Sequence, residues 1–184
     1  MRNSRVTENA RVGGEAEISG HARVGGDARV FGNARVYGYA QVGGTARVGE
    51  NAQVGENARI DGNARVNGNA QVGENAQVGE NARVNGNARV GGDARVFGKA
   101  VVCENARVGG DAQVYGTARV GGSARVGGEA EINSNKDWCF IAPDLTVYRS
   151  RCAERYEIQN GKGELISLET LSEVQLAEFF NWFI

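Results

Sequence analysis

The side chains able to carry protons, metals or nucleophilic attack are few in this chain of 184 residues. There is one histidine, His21, between Gly20 and Ala22. Imidazole titrates near neutral pH and so suits a general base. No motif around His21 matches a catalytic pattern, and a lone His among turn residues reads as a solvated surface group. His21 is therefore the single catalytic candidate, and no other is assigned. The cysteines, Cys103, Cys139 and Cys152, are odd in number and lack metal-ligand spacing. They read as free thiols, which fits a reducing, cytoplasmic setting. No phosphate-binding loop or nucleophile elbow occurs. No metal and no cofactor are expected.

Bulk properties exclude other classes. Net charge is −1, which disfavours a general nucleic-acid binder. The opening residues Met1-Arg2-Asn3-Ser4-Arg5 lack the apolar run of a signal peptide, and no stretch approaches a membrane span. With 28 Gly and 1 Pro, the composition points to many tight turns rather than collagen or a linker.

The elements that could position functional groups follow a period of six. Ala recurs from Ala10 to Ala130 at every sixth residue, and Val or Ile follows two places later, from Val6 to Ile132. Residues 4–135 make 22 hexads without an insertion. Six is a multiple of two, so Ala and Val share one side of a strand and the intervening Arg, Gln or Glu faces the other. One hexad cannot bury its two apolar side chains alone, but stacked coils can. The pair after Val is Gly-Gly, Gly-Glu, Phe-Gly, Asn-Gly or similar, with at least one Gly in almost every pair, the chemistry of corners that require positive φ. Thr7-Glu8, Cys103-Glu104 and Asn133-Ser134 break that rule.

An aliphatic residue followed four places later by a small one (Val12…Ala16, Val24…Ala28) resembles the transferase hexapeptide repeat. The resemblance spans residues 4–135 and implies an all-β, left-handed parallel β-helix of about seven triangular coils, three hexads to the coil. Repeats of the Asn-Ala-Arg-Val type followed by a small C-terminal module are similar to phage- and bacteria-encoded hexapeptide proteins. The chain divides at 135: residues 1–135 form the β-helix and residues 136–184 a small α+β capping or oligomerisation module.

With three hexads per coil, each residue stacks on the one three hexads further along. The first face then carries Arg5, Arg23, Gln41, Arg59, Gln77, Arg95, Gln113 and Glu131. The third carries Glu17, Arg35, Gln53, Gln71, Arg89, Arg107 and Arg125. The second carries Arg11, Arg29, Arg47, Arg65, Arg83, Val101 and Arg119. Five consecutive Arg on the second face read either as an anion-binding stripe or as a solvated face whose stems cover the sheet. Residues 4–135 hold 15 Lys plus Arg and 14 Asp plus Glu, so carboxylates are at hand to neutralise the column. Val101 interrupts it. Phe97 and Tyr115, on an adjacent edge, are expected to stack and to form with Val101 an apolar docking patch, with repeat drift as the alternative. The column Asn33, Asn51, Asn69, Asn87, Asn105 reads as corner residues tolerating the left-handed region. Phe31, Tyr37 and Tyr39 lie on different corners and are expected to cover neighbouring coils.

In the tail, alternation at Trp138/Phe140, Leu145/Val147 and Tyr156/Ile158 predicts short strands. Thr170-Leu-Ser-Glu173 predicts a capped helix with Leu176, Phe179, Phe180 and Phe183 on one face. Phe179, Phe180, Trp182 and Phe183 are cap or oligomer contacts.

Two functions remain open. One is a non-enzymatic structural or protein-binding module, phage or mobile-element encoded, that uses the prism as a display surface. Its partner is another protein or a second copy, with the Arg column the place where nucleic acid would sit and no membrane role. The alternative, implied by the resemblance, is an acyltransferase-like enzyme using acyl-CoA, with His21 as base at a subunit boundary. Zinc carbonic anhydrases of similar fold need three His ligands, which one His cannot supply. Uninterrupted repeats and a single His favour the binding module.

Overall fold

A computed structural model describes residues 4–7 and 9–133, together with the strand backbones of residues 145–149, 156–160 and 165–166. The repeat region is a parallel β-helix of the left-handed type. Twenty-two two-residue strands run from Arg5–Val6 to Glu131–Ile132, one per hexad. They form three parallel sheets of eight, seven and seven strands, and each strand pairs with the one three hexads away. Arg5 therefore pairs with Arg23 and Val6 with Val24, a three-hexad register that holds along the array. The three outer faces have the composition that the hexad phase predicts.

Alternation explains the core. Ala22 to Ala130 and Val24 to Ile132 are buried at every repeat, with relative exposures of 0–4%. The polar residue between them points away from the core. The first coil is the exception: Val6 is 47% and Val12 38% exposed, because no described coil lies before them.

Corners are set by the second residue of each turn pair. Every coil turns through a positive φ there, from Gly14 at 71° to Gly128 at 60°. A side chain at Gly44 would place its Cβ 2.7 Å from the Gly62 carbonyl oxygen one coil on, so crowding as well as φ selects Gly. Where the pair is Gly-Glu, the Gly is not the left-handed residue. There the left-handed residue is the Glu: Glu50, Glu56, Glu74 and Glu80 have φ of 54–58°. Glu104, in the irregular Cys103-Glu104 pair, follows the same rule at 61°. The compensation is visible in three of these. The carboxylates of Glu80 and Glu104 accept from the N–H groups of Gly98 and Gly122 one coil on, at 2.9 and 2.7 Å, and Glu74 does the same with Gly92. A charge-assisted bond offsets the cost of the left-handed backbone.

In the tail, strands Leu145–Arg149 and Tyr156–Asn160 pair antiparallel, and Leu165–Ile166 joins as a third. Two of the three expected strands are thus present. The expected strand at Trp138/Phe140, the helix opening at Thr170, and Phe179, Phe180, Trp182 and Phe183 lie outside the described residues. No helix among the described residues is long and apolar enough to cross a membrane.

Candidate binding surface

The second face is a sheet of seven strands. On it, Arg11, Arg29, Arg47, Arg65 and Arg83 stand in register, each paired with the next through its strand. Their spacing is the inter-strand distance of about 4.8 Å. All five are exposed. Val101 follows Arg83 and precedes Arg119 in the same column and is half-buried.

The neutralisation that composition permits is absent from these five rungs at ion-pair distance among the described residues. Ion pairs form instead between Arg35 and Glu17 at 3.7 Å, on the third face, and between Arg59 and Asp61 at 3.2 Å, beside the first. Both are exposed and contribute about 0–1 kcal/mol. Most carboxylates stand at the corners, where hexad phase puts Asp and Glu, away from the middle of the second face. Adjacent cations about 4.8 Å apart repel by about 1 kcal/mol in water, less in salt. The five guanidinium groups therefore stand without an ion-paired carboxylate among the described residues, with Asp27 the acid that walls the groove beside them. Shallow grooves flank its first three rungs: Asn9, Asp27 and Thr45 wall one, and Gly13 and Phe31 the other.

Phe97 does not stack on Tyr115. Its ring turns to the preceding coil, where a Cβ on Gly79 would lie 3.0 Å from ring carbons Cδ1 and Cε1. Gly79 carries no side chain, and its corner is covered from both sides, by the Phe97 ring and by the Asp61 carboxylate. Phe31 and Tyr37 do as expected, covering Gly49 and Gly55 of the next coil. Tyr37 and Tyr39 share one corner, either side of Gly38, rather than lying on different corners.

Asparagine does more than tolerate a corner. None of the Asn column is left-handed. Asn33, Asn51, Asn69, Asn87 and Asn105 form a continuous amide ladder, each Nδ2 donating to the next Oδ1 at 3.0–3.2 Å. A second corner holds Asn57, Asn75 and Asp93, linked at 3.2 and 2.9 Å. A third holds Thr45, Asn63 and Asn81. Identical residues at a strand-spaced period satisfy one another, as in stacked Asn arrays elsewhere. The recurrence of Asn at every third hexad was the available signal.

His21 heads the second of these corner columns. Its ring is exposed and stacks on Tyr39, with centroids 4.8 Å apart and planes 9° from parallel. Cys103 is buried and unpaired against the Gly121 corner. Among the described residues, no group of three His, Cys, Asp or Glu gathers to hold a metal ion.

Coil length, strand register and corner chemistry define the repeat region as a hexapeptide-repeat β-solenoid. Two family models match inside it: bacterial transferase hexapeptide (six repeats) over residues 51–86, and the YdcK β-solenoid repeat over residues 28–44 and 88–104. Both models describe hexapeptide-type solenoid repeats, and together they support placing the array in the hexapeptide-repeat superfamily. Among solved structures, the UDP-N-acetylglucosamine acyltransferase of Francisella novicida matches with a TM-score of 0.54 and 13% identity, over 96% of this chain and 77% of that one. The LpxA acyltransferase of Moraxella catarrhalis gives 0.51 and 13%, over 96% and 81%. The acetyltransferase domain of PglB from Neisseria gonorrhoeae, solved with acetyl coenzyme A, is 20% identical with a TM-score of 0.45, over 67% of this chain. The chain spans about half of that domain's length, 53%. At these identities the likeness is one of fold. No curated protein sequence matches the chain.

Proposed function

We propose that the protein is a non-enzymatic binding module that presents its second face to an anionic partner. The observation that carries this reading is the in-register ladder from Arg11 to Arg83, exposed and without an ion-paired carboxylate among the described residues. A rigid column of guanidinium groups steers an acidic partner and fixes its register. Immobilised protein should retain a partner from native-host extract that elutes as salt rises. The triple variant Arg47→Glu, Arg65→Glu, Arg83→Glu should lose it. Retention equal to wild type would remove the ladder from the function.

A second reading is an acyltransferase of the same superfamily, and the comparisons support it more directly than they support the first. The transferase hexapeptide model matches residues 51–86, and the Francisella and Moraxella neighbours are acyltransferases. In that reading His21, held against Tyr39, is the general base and acyl-CoA the donor. Isothermal calorimetry with acetyl-CoA separates the two. Specific binding that His21→Ala abolishes favours the enzyme; the binding-module reading expects no heat.

A further inference from the structure

The corner opposite the Arg ladder carries the complementary charge. In a triangular coil, the turns joining the third face to the first lie across the prism from the second face. Those turns comprise residues 19–21, 37–39, 55–57, 73–75, 91–93, 109–111 and 127–129, and they contain no Lys or Arg. From the third turn to the seventh, each presents one carboxylate: Glu56, Glu74, Asp93, Asp111 and Glu129. All five are exposed, and none makes an ion pair among the described residues. No other corner carries an acid on five consecutive coils.

The prism is thus charged across its width. A cationic column occupies five consecutive coils of one face, and an anionic column occupies five consecutive coils of the opposite corner. Both columns are built on the same coil repeat, so both have rungs about 4.8 Å apart. A partner whose anions match this spacing without adjustment is the chain itself. We propose that a second copy docks its Glu56-to-Glu129 corner along the Arg11-to-Arg83 face, with the two prism axes side by side and parallel. This rests on the reading of the second face as a binding surface and names its occupant.

The rung numbers fix the offset. Each acid lies about two and a half coils beyond the Arg it would meet, as Glu56 does beyond Arg11, so full pairing displaces the neighbour by about 12 Å. Arg47 then meets Asp93, Arg65 meets Asp111, and Arg83 meets Glu129 of the second copy. The contact is heterologous, since the face of one copy meets the corner of the next. The axial step adds with each copy, so the assembly stays open rather than closing into a ring.

Sedimentation of the full chain tests this at about 0.01 M and about 1 M salt, where screening lengths are about 30 Å and about 3 Å. At low salt the weight-average mass should rise with concentration beyond twice the 19.5 kDa chain, and at high salt it should return to one chain. Two variants are compared after circular dichroism shows each still folded. One carries Arg47→Glu, Arg65→Glu and Arg83→Glu; the other carries Asp93→Lys, Asp111→Lys and Glu129→Lys. Each alone should stay monomeric at low salt, and an equimolar mixture should recover association. A wild-type chain that is monomeric at low salt overturns the inference. So do variants that associate like wild type, a mixture that fails to recover, or a closed species of fixed size. If the wild type is monomeric yet still retains an extract partner through Arg47, Arg65 and Arg83, the second-copy inference fails and the binding-face reading stands.

Discussion

The ring of Tyr37 occupies the space where Gly55, one coil further on, would carry a side chain. Gly55 is buried beneath it although it sits on a corner. Phe31 and Gly49 repeat the arrangement one corner earlier. At both places the aromatic residue and the glycine one coil on behave as a unit. Gly55→Ala should displace Tyr37 and lower stability by about 1 kcal/mol, within the range usual for crowding changes. In Tyr37→Ala the same Gly55→Ala change should cost little. A double-mutant cycle by urea denaturation measures the coupling, and additive effects would show that the ring simply moves aside.

Adjacent glycines should respond oppositely. Gly43 has no heavy atom within 4 Å of a built Cβ, while Gly44 has φ of 61° and the Gly62 carbonyl oxygen at 2.7 Å. Gly43→Ala should stabilise by about 0.4–1 kcal/mol through the unfolded chain. Gly44→Ala should destabilise by at least about 1–3 kcal/mol, because strain and a backbone clash add. Comparison of the two denaturation midpoints decides it.

At Glu104 two effects of similar size oppose. Its φ of 61° is strained for a side chain, and its carboxylate holds the Gly122 N–H at 2.7 Å. Glu104→Gly relieves the strain and loses the bond, so stability should change by less than about 0.5 kcal/mol. Glu104→Ala keeps the strain and loses the bond, and should cost about 1 kcal/mol. Thermal melts in which Ala matches wild type would show that the hydrogen bond contributes nothing, and Ala melting above Gly would show that the left-handed backbone carries no strain.

Asn69 sits in mid-ladder, accepting from Asn51 at 3.1 Å and donating to Asn87 at 3.0 Å. Asn69→Leu removes both bonds and leaves two amides to water. A loss of about 1–2 kcal/mol is expected, at about 0.5–1.5 kcal/mol for each bond and discounted for exposure. Amide hydrogen exchange around residues 51 and 87 should quicken in the variant if the ladder holds the corners together.

How far the sequence alone reaches differs between core, corner and face. Core and faces were legible, because a six-residue period fixes which side each residue takes: Ala64, Arg65 and Val66 have only one consistent arrangement. Corners were partly legible. Gly-Glu pairs hide which residue is left-handed, since Glu is an unusual choice there, supported at Glu74 and Glu80 by the Gly92 and Gly98 N–H groups one coil on. The lean of Phe97 towards Gly79 depends on a bare glycine one full coil back, a comparison between neighbouring coils that a single hexad does not show. The Arg ladder was legible as a column. Its lack of ion pairs was not, since composition counts charges without saying that carboxylates stand on corners. The acidic corner across from it was legible in principle, at Asp93, Asp111 and Glu129, once turns rather than faces are read in columns.

The three-hexad register limits how such a chain can change in length. Gain or loss of a single hexad preserves the Ala and Val core, so the fold survives it. It also turns everything beyond that point by one third of a revolution. A hexad gained between Arg47 and Arg65 would move Arg65 and Arg83 out of line with Arg11 to Arg47 and onto a different face, and the amide ladders would break at the same seam. Surface patterns persist only when length changes by whole coils. Hexad number can drift in a protein valued only for its rigidity, whereas selection on a charged face admits change in steps of three hexads.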